Sequence, residues 1–245
     1  YDFKLMQDSG HVTGFQIDDP GLIEGIVEGL ERLAGESDLL YAVGDGNHSL
    51  AAAKGVWEEI KRAGGDDVMD HPARFALVEL ESIYDEGLEF EAIHRVLFNV
   101  DQQDLLQRLK SEFDCEIEKV DSRDGILRGY REPSEHHRMG FMAGDKLAVV
   151  TIKKPEVELT AEVLQGFLDR YLKDHKDASI DYVHGDQPVM DLATKPGNLG
   201  FFLLSVKKAD FFATIRRRGS YPRKTFSMGE ADEKRFYIES RKIVR

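Results

Sequence analysis

The sequence predicts an α/β or α+β fold, a mixed sheet with helices packed on it. Three observations point there. Short apolar runs alternate along the chain with longer segments of helical periodicity. Some of those runs are joined directly by turn residues, as in hairpins, so a purely parallel sheet is excluded. The chain has 245 residues, 41% hydrophobic and 32% charged. That is an ordinary globular composition, enough for one large domain or two small ones.

Taken in order, Phe3–Gln7 and His11–Ile17 read as extended segments joined at Ser9-Gly10, a hairpin. Asp18-Asp19-Pro20 starts a helix with a carboxylate cap and a proline in its first turn. Leu22, Ile23, Ile26, Leu30 and Leu33 supply its apolar face, and Gly35 ends it. Leu39–Val43 is strand-like and is broken by Gly44-Asp45-Gly46. A second helix runs from Asn47 to Ala63 and stops at Gly64-Gly65. Residues 66–72 read as loop. Ala73–Glu81 and His94–Val100 read as strands, Gln102–Phe113 as a helix and Cys115–Val120 as a strand. His137–Met142 and Leu147–Lys153 flank the hairpin signal Gly144-Asp145. Thr160–His175 is a helix capped by Thr160. Ile180–Val183 is a strand, Asp186–Thr194 a short helix, and Pro196-Gly197-Asn198 a turn. Leu199–Val206 is a buried strand, Lys208–Arg218 a helix ended by Gly219, and Arg235–Glu239 a final strand.

Composition excludes several functions. No apolar run approaches the roughly 20 residues of a membrane span. The single cysteine, Cys115, precludes an intrachain disulfide and a thiolate zinc cluster, and a reducing, cytoplasmic compartment is the simplest reading. Cys115 sits in a strand pattern and reads as a structural thiol. The net charge of -13 disfavours nucleic acid as a partner. The charge is uneven: residues 200–245 carry 12 Lys and Arg against 5 Asp and Glu. This basic segment either meets a compact anion or balances acidic helices within the molecule.

The richest chemistry lies in Tyr41–Lys54, YAVGDGNHSLAAAK. Gly44 and Gly46 flank Asp45 immediately before a helix. Glycines allow close approach of main-chain N–H groups, and a helix start offers unpaired donors and a positive dipole end. Together they make an anion site, most often for phosphate. Asn47, His48 and Ser49 add side-chain donors, and Asp45 could hold Mg²⁺ or act as a general base. The alternative is an ordinary capped turn. A second candidate is Asp181–Asp186, where a strand end delivers His184 and Asp186; a loop histidine beside a capping aspartate is its plain alternative. A third is Pro222–Gly229, in which Arg223 and Lys224 could clamp phosphate, or form a solvated basic turn.

Four segments carry a resemblance: GDGNHSLAAAK at 44–54, DYVHG at 181–185, GFFLL at 200–204, and PRKTFSMG with EKRFY at 222–237. On these the chain is identified as a member of the prokaryotic family called domain of unknown function 1015. Its members are longer at the N-terminus, which implies that the sequence is the C-terminal part of a longer protein. Residues 1–245 are then expected to form one large domain, with a weak boundary near 83–100. GDGNHS is also similar, more distantly, to the DGHHR-type motif of ParB-like free serine kinases and of sulfiredoxin, where the turn binds nucleotide phosphate. That implies a ParB/sulfiredoxin-like element. Here Asn47 stands where the first histidine is usual, His48 matches the second, and Ser49 replaces the arginine. Lys54, or Arg223 and Lys224, could take over the lost charge.

The resemblance implies a small-molecule phosphotransferase of the free serine kinase type. ATP or ADP with Mg²⁺ would bind at Gly44–Ser49, with Asp45 on the metal, His48 on the transferred phosphoryl group, and Arg223 and Lys224 neutralising charge. The partner is a small molecule, and the oligomeric state is open. The missing arginine favours a second class, a non-catalytic nucleotide- or phosphometabolite-binding regulator.

Overall fold

The computed structural model describes residues 1–153, 156–229 and 236–244. The chain divides into two compact units, residues 1–88 with 228–245, and residues 89–227.

In the first unit, β1 (Asp2–Lys4) pairs antiparallel with β2 (His11–Thr13), the expected hairpin with shorter strands. Helix α1 (Pro20–Glu36) begins where expected, and the Asp19 side chain accepts from the Leu22 N–H at 2.9 Å. Its apolar side chains Leu22, Ile23, Ile26 and Leu33 are exposed. Helix α2 (Asn47–Gly64) also begins where the motif predicts. Two expected strands are absent. Leu39–Val43 has no ladder partner, and Pro72–Arg74 forms a 3-10 turn, after which residues 75–81 form no strand. A strand needs an adjacent edge to bond, and apolar sequence alone does not supply one. Arg235 of the expected last strand lies outside the described residues, and Phe236–Glu239 forms none.

The second unit is an α+β sandwich. Its strands are β3 (Phe90–Phe98), β4 (Cys115–Lys119), β5 (His137–Ala143), β6 (Lys146–Ile152), β7 (Ser179–His184) and β8 (Leu199–Phe202). They line up as β4-β6-β5-β8-β3-β7, and β9 (Phe226–Met228) pairs with β3. The described pairings along this path are antiparallel. The hairpin of β5 and β6 turns at Gly144, whose φ of 59° suits a two-residue connection. Compared with expectation, β3 starts earlier and β8 stops at Phe202.

Helices cover both faces of this sheet: α3 (Gln102–Glu112), α4 (Arg123–Arg131), α5 (Thr160–Asp174), α6 (Asp186–Ala193) and α7 (Lys208–Arg218). One core joins Leu105 and Leu109 of α3, and Leu164, Phe167, Leu168 and Tyr171 of α5, to Leu97, Phe141, Val150 and Phe201. A second joins Ile126 and Tyr130 of α4, and Val189, Met190 and Ala193 of α6, to Val96, Met142 and Phe202. Successive strand residues therefore serve opposite layers, as a period of two requires. Helix α4 is not anticipated by the sequence, because its stretch carries few apolar residues. Ser122 caps it, accepting from the Gly125 N–H at 3.0 Å. Thr160 is not the cap of α5; that position is Leu159, and the Thr160 hydroxyl pairs with His137 Nδ1 at 2.8 Å. Among the described residues, no helix is long and apolar enough to cross a membrane.

The core makes a direct prediction. Leu97 is fully buried, and Leu97→Ala should cost about 2–5 kcal/mol in urea unfolding followed by circular dichroism. At Gly140 an added Cβ would run into Ile126 and Phe202, so Gly140→Val should also destabilise, by about 1–3 kcal/mol or more.

Candidate functional site

The glycine-flanked turn lies in the first unit. Gly46 occupies the cap position of α2 at φ 76°, ψ 18°, left-handed backbone that a glycine adopts without strain. The Gly46 N–H donates to Asp45 Oδ1 at 2.7 Å, and the first helical bond runs from the Leu50 N–H to the Gly46 carbonyl at 2.9 Å. The cap residue, Gly46, has no side chain with which to cap the helix, and the first turn contains no acid. The first main-chain donors, of Asn47, His48 and Ser49, have no acceptor within the helix and lie at the positive end of its 18 residues. Lys61 and Arg62 in the last turn complement the other end. Gly44, Asp45, Gly46, Asn47, His48 and Ser49 are all exposed.

Among the described residues, no three His, Cys, Asp or Glu side chains come together as a metal site. The turn offers the Asp45 carboxylate with the Asn47 and Ser49 oxygens. Those are hard donors of the kind Mg²⁺ takes when substrate phosphates supply the remaining ligands.

His184, Asp186, Arg223 and Lys224 lie in the second unit. His184 is exposed at the end of β7, opposite Ile93 of β3. Gly185, at φ 79°, turns the chain into α6 and places Asp186 at its start. Around Asp186 the structure assembles three residues that sequence reasoning does not single out. Tyr130 Oη donates to Asp186 Oδ1 at 3.1 Å, and Arg131 Nη2 meets Oδ2 at 2.5 Å. His94 Nε2 lies 3.2 Å from Oδ1. The Leu203 N–H donates to His94 Nδ1 at 3.0 Å, so the neutral ring carries its proton on Nε2, towards the carboxylate. The group borders a cavity of about 280 Å³ lined also by Phe90, Glu91 and Ser205.

The His94 hydrogen bond, aided by the charge of Arg131, holds the Asp186 carboxyl below its usual range against the opposing effect of burial. Burial, reinforced by the Asp186 charge, pushes the Tyr130 hydroxyl up to about 12. A carboxylate held ionised by three donors is a weak base, so this cluster fixes charge instead of moving protons. The signal for it in the sequence was the His94-Arg95 pair inside the apolar run IHRVLF. Buried polar residues on a strand demand partners.

Arg95 is the other half of that signal. It is fully buried, and Nε donates to Gln165 Oε1 at 2.8 Å, Nη1 to the Ile93 carbonyl at 2.7 Å and Nη2 to the Lys224 carbonyl at 2.8 Å. Burial lowers its pKa to about 10. The third bond fastens the Pro222–Thr225 turn, where Lys224 has φ 60° and the Thr225 hydroxyl donates to the Pro222 carbonyl at 2.8 Å. The Arg95 guanidinium and the Lys224 ammonium lie 4.7 and 5.9 Å from the centre of the Tyr182 ring. Arg223 is exposed.

The sequence model of a family described as "Protein of unknown function (DUF1015)" matches residues 1–171. No curated protein matches the chain. Among solved structures, a conserved hypothetical protein from Pyrococcus furiosus is similar, with 14% identity and a TM-score of 0.48, over 62% of this chain and 61% of that one. A free serine kinase mutant in complex with ADP is 13% identical, with a TM-score of 0.46, over 62% and 58%. A free serine kinase in complex with AMP is 12% identical, with a TM-score of 0.45, over 62% and 58%. The chain spans about six tenths of the length of each of these structures.

The Asp186 cluster predicts a pH dependence. A carboxyl whose folded pKa is depressed adds stability above its unfolded pKa and loses it as pH falls through the folded value. Asp186→Asn should cost about 1–3 kcal/mol near neutrality. That gap from the unsubstituted protein should close as urea unfolding is repeated at acid pH, below the ordinary carboxylate range.

Proposed function

The chain belongs to the DUF1015 family, and for this member we propose a small-molecule phosphotransferase that binds a nucleotide at the Gly44–Ser49 turn. The observation that carries the reading is the start of α2, where the first main-chain donors of the helix, a left-handed glycine at the cap and no acidic side chain in the first turn coincide. Such a helix end suits a phosphate. The N–H groups of Asn47, His48 and Ser49 hold the phosphate oxygens, and the His48 ring donates to the phosphoryl group in transit. Asp45 is the ligand for Mg²⁺, which when bound neutralises charge on the transferring group. A phosphoanhydride P–O bond breaks, a P–O bond to an acceptor hydroxyl forms, and the hydroxyl proton leaves to solvent or a base. The acceptor is a small hydroxyl compound, with free serine the case suggested by the motif resemblance.

One observation favours a second reading, a regulator that binds nucleotide or phosphometabolite without turnover. Ser49 stands where the kinase-type motif has arginine, so the turn itself lacks a strong clamp on the group in transit.

Calorimetric titration with ATP and with ADP, each with and without Mg²⁺, tests both. Saturable, magnesium-dependent binding is expected, weakened about tenfold or more by Asp45→Asn or His48→Ala, the loss of one charge-assisted contact. If Asp45→Asn also abolishes phosphate transfer to a hydroxyl acceptor, the enzyme reading stands. If it moves affinity alone and no transfer occurs, the protein is a regulator. Absence of nucleotide binding overturns the phosphotransferase and the nucleotide form of the second reading.

A further inference from the structure

We propose that the Pro222–Thr225 turn, organised by Arg95, is a binding site for the phosphate group of a small metabolite, built wholly from the second unit. None of its residues belongs to the α2 turn, so the two readings are tested by different substitutions.

The first argument is charge. Among the described residues, Arg95, Arg223 and Lys224 have no carboxylate partner, whereas Arg131, Arg138, Arg217 and Arg218 of the same unit each meet one. The acids are not lacking, since the chain carries 46 of them against 33 basic residues. Arg95 is the most telling of the three. Its guanidinium is withdrawn from water, and each of its hydrogen bonds goes to a neutral oxygen. Its nearby counter-charge, Asp169, acts without an ion pair, on the far side of the Gln165 amide, and a buried charge not directly paired is costly, with a field only weakly screened. An anion on the turn supplies a further counter-charge.

The second argument is shape. Lys224 is not glycine, yet its backbone is left-handed. A residue stays there only where its surroundings insist. They do so here through the bond from Arg95 to the Lys224 carbonyl and through the buried Thr225, whose hydroxyl closes the turn on Pro222. The carbonyl oxygen, which would repel an anion, is engaged by the guanidinium. The Tyr182 ring seats the lysine ammonium. Two exposed cations thus sit side by side on a backbone held in advance, which lowers the ordering cost of binding.

The third argument is selectivity. An arginine fork beside a lysine point charge suits a compact dianion. A net charge of -13 repels a long polyanion, which excludes nucleic acid in favour of a small phosphate compound.

The test is calorimetric titration of the intact chain with inorganic pyrophosphate, in parallel with Arg223→Gln/Lys224→Gln, Arg95→Lys, Lys224→Gln and Lys176→Gln. Saturable binding is expected, reduced at least tenfold in the double variant with an unchanged circular dichroism spectrum, and unaffected by Lys176→Gln, which removes an exposed cation elsewhere on the same unit. Arg95→Lys keeps the charge but not the three-way fork, and should weaken binding severalfold. In the Lys224→Gln background it should weaken binding less, because a positioning residue acts through what it positions. AMP and glycerol phosphate as competitors separate a nucleotide from a sugar-type phosphate as source. No saturable binding, or binding unchanged in the double variant, overturns the proposal. An equal loss in Lys176→Gln shows a general charge effect and also overturns it. Should Arg95→Lys fail to fold, the double variant decides alone.

Discussion

The second unit depends on one constraint: the central strand β3 carries two adjacent buried polar side chains, His94 and Arg95, in an otherwise apolar run. Strand geometry sends neighbours to opposite faces. His94 shares its face with Val96 and the α4–α6 layer, and Arg95 shares its face with Leu97 and the α5 layer. Each must be hydrogen-bonded, since an unsatisfied polar group in this position would cost more than one packing contact contributes. Satisfying His94 recruits the start of α6, the end of α4 and the chain after β8. Satisfying Arg95 recruits α5 and the Pro222–Thr225 turn. Segments far apart in sequence are thereby fixed to one strand.

The two halves of this arrangement are unlike in charge. The His94 side is closed: Asp186 receives an imidazole, a phenol and a guanidinium, so its charge is answered within the molecule. The Arg95 side is more open: its partners are two carbonyls and an amide, Asp169 acts on it without an ion pair, and the exposed Arg223 and Lys224 beside it make no ion pair among the described residues. A closed cluster contributes stability and shape. An open one leaves a field at the surface, which is where an anionic ligand gains. The α2 turn works differently again. Its donors are main-chain groups at a helix end, and its geometry comes from one left-handed glycine and not from burial.

Legibility in the sequence followed the range of the forces involved. Helices α1, α2, α3, α6 and α7 were legible because caps, prolines, glycines and helical periodicity act over a few residues; Asp19 and Gly219 sit where local rules put them. The β5–β6 hairpin was legible for the same reason. Leu39–Val43 and residues 75–81 were misread as strands because a strand is a relation between two segments, and the run itself holds only one. Helix α4 went unread because its apolar content is low, and Ile126 and Tyr130 matter only once β5 and β8 lie beneath them.

The candidate residues divide along the same line. By itself the sequence determined the α2 turn: glycines, a carboxylate and polar side chains at a helix start form a contiguous motif whose conformation local rules dictate. It also marked Asp186, Arg223 and Lys224 as polar residues at element ends. Only the tertiary structure decided what they face. Asp186 meets His94 from 92 positions earlier and Tyr130 and Arg131 from about 55, and the Lys224 turn hangs on Arg95, 129 positions away. The physical reason is that hydrogen bonds and charges act over a few ångströms of space. Caps and turns spend that distance within neighbouring residues, whereas a sheet brings distant residues into it.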